Sequence, residues 1–459
     1  MTTLTQVEAE VDPAVRPLYE RIAEAMERLA VPGVAVGLLH EGREHIAGFG
    51  VTNVDHPSPV AGGTLFQIGS TTKTVTATTV MRLVEDGKID LDTPVRAYLP
   101  DLRLADEAVA AGVTMRHLLT HTGGWSGDYF ADMGRGEDAL TKIVASMVDV
   151  PQLTPLGEVW SYNNAGFYIA GRVIEAVTGQ PYETAVRELV LNPLGLAHTY
   201  LFPEEVMVHS FAAGHNVVDG APKVATPWPL PRTANPAGGL TSSAGDQLRY
   251  ARFHMGDGTA ADGARVLSRE SLALMQTPDV QAADGEGMGL SLFVRDIGGV
   301  RIVRHGGTTN GQISEFMFAP ERGFALTILT NANRGGELGE EVTKWALRHY
   351  LGVGEPEPAP LERTDGELAA YAGRYAAALV AVSLTPRDSG LILEIGYSDA
   401  FPADEPPPVP PPARASLYAE DRILMLDGPY KGVRGEFLRG PDGEIAWLRL
   451  GGRIHKREG

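Results

Sequence analysis

Phe66-Gln-Ile-Gly-Ser-Thr-Thr-Lys73 sets a serine and a lysine three positions apart, immediately ahead of a helical pattern. Ala77, Val80, Met81 and Val84 recur at helical spacing, and Asp86-Gly87 supplies a stop. Residues at i and i+3 share a helical face, so the Ser70 hydroxyl and the Lys73 amine are expected to point into one space. A serine hydroxyl becomes a useful nucleophile when a neighbouring base takes its proton, and a lysine in a dry site can lose its charge and serve as that base. Ser70 also falls at a helix N-terminus, where free N–H groups and the helix dipole favour developing negative charge. By itself S-x-x-K recurs by chance in long chains, and a capping serine beside a solvated lysine is the ordinary reading. The rest of the chain decides between the two.

On the N-terminal side, Asp12-Pro13 reads as a helix cap, and Val15, Leu18, Ile22, Met26 and Leu29 keep one apolar face. The apolar runs Val34 to Leu39 and Ile46 to Val51 flank Glu41-Gly42-Arg43 as a hairpin. Beyond Ser70, from Ile89 to Gly239, the pattern is mainly helices and loops. Helices are expected over Met115 to Leu119, Leu140 to Val148, Ala165 to Val177, Tyr182 to Val190 and Ala244 to His254, with a long loop over Phe211 to Pro236. Strands return at Leu290 to Val294, Val300 to Val303, Ile313 to Phe318 and Phe324 to Leu329, before a helix marked by Leu338, Val342 and Trp345. The fold class this implies is α+β: an antiparallel sheet formed by the two ends of the domain, flanked by helices, with a helical region inserted.

Gly354-Glu-Pro-Glu-Pro-Ala-Pro breaks the pattern, so residues 1–353 are expected to form one domain, 354–362 a proline-rich linker and 363–459 a second domain. In that tail Val382 to Leu384, Leu391 to Ile395, Leu417 to Leu426, Val433 to Leu438 and Ile445 to Leu450 alternate like strands of a small antiparallel β-barrel. Pro402 to Pro412 is expected as an exposed loop.

The 459 residues carry a formal charge of −19 and contain no cysteine. An acidic surface argues against nucleic acid and anionic membranes as partners. Without cysteine there is no disulfide or thiolate nucleophile. Met1 to Val11 shows no apolar signal core, and no run is long enough to span a membrane, so a cytoplasmic protein is expected. His117 and His121 lie four apart, but no third ligand accompanies them, and no metal or cofactor is expected. Gly124-Trp-Ser-Gly-Asp misses the nucleophile elbow of α/β-hydrolases by one position.

Two further motifs keep Ser70 and Lys73 company. Tyr162 and Asn164 sit two apart in Ser161-Tyr-Asn-Asn164, and alternate side chains of an extended segment face one way. Cations near Tyr162 are expected to lower its pKa so that it relays protons with Lys73, while Asn164 offers a donor and an acceptor to lysine or substrate. Then Arg304-His-Gly-Gly-Thr308 follows a strand. Gly306 and Gly307 would let substrate lie against the backbone as an added strand, with His305 beside it. The backbone N–H groups of Ser70 and Thr308 are candidates for an oxyanion hole.

In this order, S-x-x-K, Y-x-N and H-G-G resemble the serine β-lactamase and penicillin-binding superfamily, in its class C-like branch of esterases and D-amino-acid peptidases. The similarity extends to Asp86-Gly-Lys-Ile-Asp-Leu-Asp-Thr-Pro-Val95, His117-Leu-Leu-Thr-His-Thr-Gly-Gly124, Asn192-Pro-Leu-Gly-Leu196 and Ala237-Gly-Gly-Leu-Thr-Ser242, and so spans roughly residues 13–351. It implies an acyl-enzyme mechanism in which Ser70 attacks a carbonyl and Lys73 with Tyr162 handles the proton. The tail resembles the lipocalin-like barrel attached to some peptidases of that branch.

Two departures shape the expectation. The third motif is H-G-G where many relatives carry K-T-G, and a largely neutral His305 gives up the charge that helps hold a substrate carboxylate. The second motif also reads as Ser161-x-Asn163, the version of other branches. The expected function is therefore a serine hydrolase acting on esters or amides of small acyl or D-amino-acid substrates, with a small-molecule or short-peptide substrate and a homo-oligomer as possible partners. β-Lactam hydrolysis is the alternative, and a non-catalytic module that captures penicillin-like or peptide ligands is the alternative of another class.

Overall fold

In a computed structural model, which describes residues 12–398 and 409–458, the two ends of the first unit meet in one antiparallel sheet. Its main strands are β1 (Gly33–His40), β2 (Arg43–Gly50), β3 (Phe293–Ile297), β4 (Val300–Thr309), β5 (Gln312–Ala319) and β6 (Phe324–Thr330). They lie in the order β2-β1-β6-β5-β4-β3, and the short strands Gly287–Met288 and Val280–Gln281 extend the β3 edge.

The period of two along each strand sorts side chains into two cores. From β1, Val34, Val36 and Leu38 join Leu326 and Ile328 of β6 beneath α1 (Arg16–Leu29) and the closing helix Gly335–Ala346. Ala35 and Leu39 face the other way, with Phe316 and Phe318 of β5, into the large core of the inserted helices. Central there is α2 (Thr72–Glu85), which follows a single 3₁₀ turn over Gly69–Thr71 and is buried along nearly its whole length. Gly87, at φ +69°, ends it as the sequence implied.

Several local expectations are corrected. Asp12 does not cap α1; its carboxylate holds the Ala14 N–H in a preceding turn, and the helix proper starts at Arg16. Leu290 lies outside β3, which begins at Phe293. The run Val300 to Val303 continues to Thr309, so His305, Gly306 and Gly307 are within a strand rather than after one, because pairing to β5 carries the backbone through both glycines. The segment Phe211 to Pro236 contains a small hairpin, His215–Val218 with Ala221–Val224.

The tail closes into an eight-stranded antiparallel barrel. Its strands are β7 (Gly373–Ala376), β8 (Val380–Arg387), β9 (Gly390–Tyr397), β10 (Ala413–Ala419), β11 (Arg422–Met425), β12 (Arg434–Arg439), β13 (Ile445–Leu450) and β14 (Arg453–Arg457). Leu417 to Leu426, expected as one strand, is two strands turning at Asp421, whose φ is +53°. The strands β7 and β14 went unread because each is only four or five residues long and carries several charged or small residues. Of Pro402 to Pro412, residues 402–408 fall outside the described residues, as does Met1 to Val11.

Ion pairs and hydrogen bonds fasten the barrel to the first unit. Asp284 accepts from the Tyr418 hydroxyl and the Arg434 guanidinium, each at 2.8 Å, and Ile454 N donates to Ser161 Oγ at 3.3 Å.

Candidate active site

Ser70 and Lys73 meet as their spacing implied. The Lys73 amine lies 3.0 Å from the Ser70 hydroxyl and donates to the Ala237 carbonyl at 2.6 Å. No carboxylate pairs with it among the described residues, and the side chain is fully buried. Desolvation therefore holds its pKa well below the usual ammonium range, the Arg453 guanidinium adds to that, and Asp128 opposes it. A lysine in this state can accept the proton of a neighbouring hydroxyl.

Tyr162 is brought to the same cleft, with its ring centroid 5.0 Å from the Lys73 amine. Its expected drop in pKa is corrected. Burial is the larger influence and raises it, while Ser70 and Arg453 only pull part of the way back. Ser70 is near enough to exert that pull, but the two hydroxyls are not aligned as a formed hydrogen bond, and the buried Tyr162 hydroxyl has no partner among the described residues. Tyr162 is thus a neutral phenol, suited to giving a proton rather than holding an anion. His121, read as scaffold, stacks on its ring at 4.4 Å, with Nδ1 accepting from the Asn163 N–H.

Asn164 lines the cleft but does not contact Lys73; its amide donates to Asp128 at 2.8 Å. The competing Ser161 and Asn163 are used elsewhere. Ser161 Oγ accepts from Ile454 N in the barrel, and the Asn163 amide donates to the Trp125 carbonyl. Among nearby aromatics, Tyr168 lines the cleft, Trp125 is buried in the core, and Trp228 packs against Phe211.

The cleft encloses about 680 Å³ and reaches from Ser70 along β4 to Glu286 and Phe293. Because β3 pairs with β4 only as far as Arg304, the segment His305 to Thr308 is a free edge on its cleft side, open to an added strand. His305 Nδ1 donates to the Gly306 carbonyl at 2.6 Å, and burial pushes the ring down to about 3, so it is neutral. Gly307 is required by close approach: a Cβ there would lie 1.9 Å from the Ile68 carbonyl and 2.7 Å from Ser70 N. The backbones of Ser70 and of Gly307-Thr308 are thereby pressed together, which brings the two candidate oxyanion donors to one wall.

Sequence reasoning missed Asp128 and Arg453. Arg453, from β14, pairs with Asp128 at 3.0 Å and places its guanidinium 4.6 Å from the Tyr162 ring centroid. The adjacent Gly452 carbonyl accepts from Tyr162 N at 2.8 Å. A lone arginine in a short polar strand gave no signal of this; only closure of the barrel against the cleft does. His117 caps its own helix through Thr114, and no metal-binding cluster of three or more side chains occurs among the described residues.

Comparison with known proteins bears on the family and the fold. The family model described as Beta-lactamase matches residues 18–350. Penicillin-binding protein 4 of Amycolatopsis lactamdurans is 37% identical over 356 residues, covering 75% of this chain and 93% of the relative. The crystal structure of SurE with D-Leu superposes with a TM-score of 0.75 at 27% identity, covering 97% of this chain and 99% of that one, barrel included. The octameric penicillin-binding protein homologue from Pyrococcus abyssi shares the fold, with a TM-score of 0.65 at 24% identity over 97% of this chain and 100% of that one.

Proposed function

The chain belongs to the beta-lactamase family, and on that premise we propose that it is a serine hydrolase forming an acyl-enzyme on Ser70, selective for small acyl or D-amino-acid esters and amides. The observation that carries the reading is the 3.0 Å approach of a buried, uncompensated Lys73 amine to the Ser70 hydroxyl.

The steps balance with the groups at hand. Ser70 Oγ bonds to the substrate carbonyl carbon as Lys73 takes its proton, and the oxyanion is met by the N–H groups of Ser70 and Thr308. Tyr162 then donates its proton to the leaving oxygen or nitrogen as that bond breaks, and recovers a proton from Lys73. Water attacks the acyl-enzyme as Lys73 takes its proton, the bond to Ser70 Oγ breaks to free the acid product, and Lys73 returns the proton to Ser70 Oγ. Asn164, His305, Gly306 and Gly307 orient the substrate along the free edge of β4. The bound D-Leu of SurE supports a D-amino-acid substrate for this chain.

β-Lactam hydrolysis is the second reading, favoured by relatives such as the Providencia stuartii beta-lactamase, 29% identical over 54% of this chain. It ranks lower because His305, neutral above about 3, cannot supply a fixed cation for a substrate carboxylate. The test is intact-mass labelling with a fluorophosphonate on native protein and on Ser70→Ala, followed by p-nitrophenyl esters, D-aminoacyl amides and nitrocefin. A Ser70-dependent adduct with ester or amide turnover is expected. No adduct would leave an inert binding module, and a strong preference for nitrocefin would reverse the ranking.

A further inference from the structure

The barrel is filled with its own side chains at one end and hollow at the other. At the filled end Leu384, Leu391, Leu417 and Ile423 bury one another. Toward the opposite end Val380, Ile395, Val433 and Leu450 are only partly buried, and they surround a cavity of about 350 Å³. An eight-stranded barrel is at the size where side chains fill the interior or one small ligand does, and this one divides its length between the two. The cavity lining is mainly apolar, and of its polar groups Asp128 and Arg453 are engaged with each other. Such a space loses packing when empty and holds water poorly, and it fits an apolar chain.

Its position points to the occupant. Ser126, Gly127, Asp128 and Leu153 of the first unit roof the open end, so the cavity lies at the junction of the two units rather than on an outer surface. Gly451 and Arg453 line both this cavity and the catalytic cleft. The two spaces therefore abut at these shared residues. We propose that the barrel cavity is a second compartment of the substrate site and takes the aliphatic tail of the acyl group whose carbonyl is presented to Ser70, an assignment that rests on the serine-hydrolase reading above.

Two measurements on the full chain test it. The first is titration of the native protein and of Ser70→Ala with the fluorescent apolar probe N-phenyl-1-naphthylamine, displaced by octanoate. Saturable, displaceable binding to both proteins is expected, weakened at least about tenfold in Leu393→Trp, which fills the cavity with an indole worth several methylenes of volume. Ile395→Arg, at the half-buried rim, keeps the test open should Leu393→Trp not fold.

The second is kcat/KM for p-nitrophenyl esters of increasing chain length. Each buried methylene is worth about fourfold, so a rise on the order of 100-fold from butyrate to octanoate is expected, with the octanoate-to-acetate ratio collapsing in the filled variants. Absence of saturable probe binding overturns the cavity, and a chain-length preference unchanged in both variants places the tail elsewhere and overturns the assignment. Probe binding without any ester turnover or fluorophosphonate adduct overturns it through its premise instead, leaving an apolar site beside an inert serine.

Discussion

Arg453, on the last strand of the barrel, holds its guanidinium 4.6 Å from the ring centroid of Tyr162, in the pocket of the other unit. The same cation adds to the burial that lowers the Lys73 pKa, and its partner Asp128 works the other way. The barrel is therefore an electrostatic part of the Lys73 pocket, and residues that have no place in the family's motifs shift the base assigned in the proposed mechanism.

Removing one member of the Arg453–Asp128 pair should move the titration of Lys73 in opposite directions. Arg453→Ala takes away a like charge and leaves Asp128 unopposed, so the Lys73 pKa rises and the acid limb of kcat/KM moves to higher pH. Asp128→Asn frees Arg453, and the limb moves lower. Arg453→Lys should restore part of the shift. Profiles displaced the same way by both substitutions would show a packing effect instead.

On the proposed mechanism, activity requires Lys73 deprotonated and Tyr162 protonated. Desolvation lowers the first pKa and raises the second, so kcat/KM should rise at a pH well below the ordinary lysine range and hold into alkaline solution. His305, pushed down to about 3, should contribute no limb near neutrality. Lys73→Ala should lose about 10²–10⁴-fold in kcat/KM, and Lys73→Arg as much, since a guanidinium stays charged.

Tyr162→Phe should cost about 10²–10⁴-fold in acylation, measured as the rate of fluorophosphonate or ester burst labelling. Ser161→Ala should be mild in kinetics and lower stability by about 0.5–1.5 kcal/mol, through the lost bond to Ile454 N. The reverse pattern would assign the second motif to Ser161 and Asn163.

Gly307→Ala should abolish acylation while leaving the barrel assembled, because the new methyl would press on the Ile68 carbonyl and Ser70 N. Activity loss with unchanged probe binding in the barrel cavity is the expected result. Near-native activity would show that Thr308 N does not serve the oxyanion.

Much of this site was legible because it is built from local rules. Three residues of helical spacing put Ser70 and Lys73 together, and alternation in an extended loop separated Tyr162 and Asn164 from Ser161 and Asn163. Where sequence failed, the cause was a balance of long-range terms. The neighbouring Lys73 suggested a lowered Tyr162 pKa, but burial, which depends on everything packed around the ring, raises it instead. Likewise the donor that Asn164 offered to the site is engaged by Asp128, a residue the motif did not include.

The sequence by itself determined the sheet-and-helix order, the three motif positions and the existence of a β-rich tail, since periodicity, turn residues and spacing are properties of neighbours along the chain. Only the tertiary structure decided that β14 closes the barrel against the cleft, that Arg453 and Asp128 share the pocket of Lys73, and that the barrel is hollow on that side. Those facts arise from surfaces hundreds of residues apart coming into contact, where desolvation and Coulomb forces depend on distance in space and not on separation in sequence.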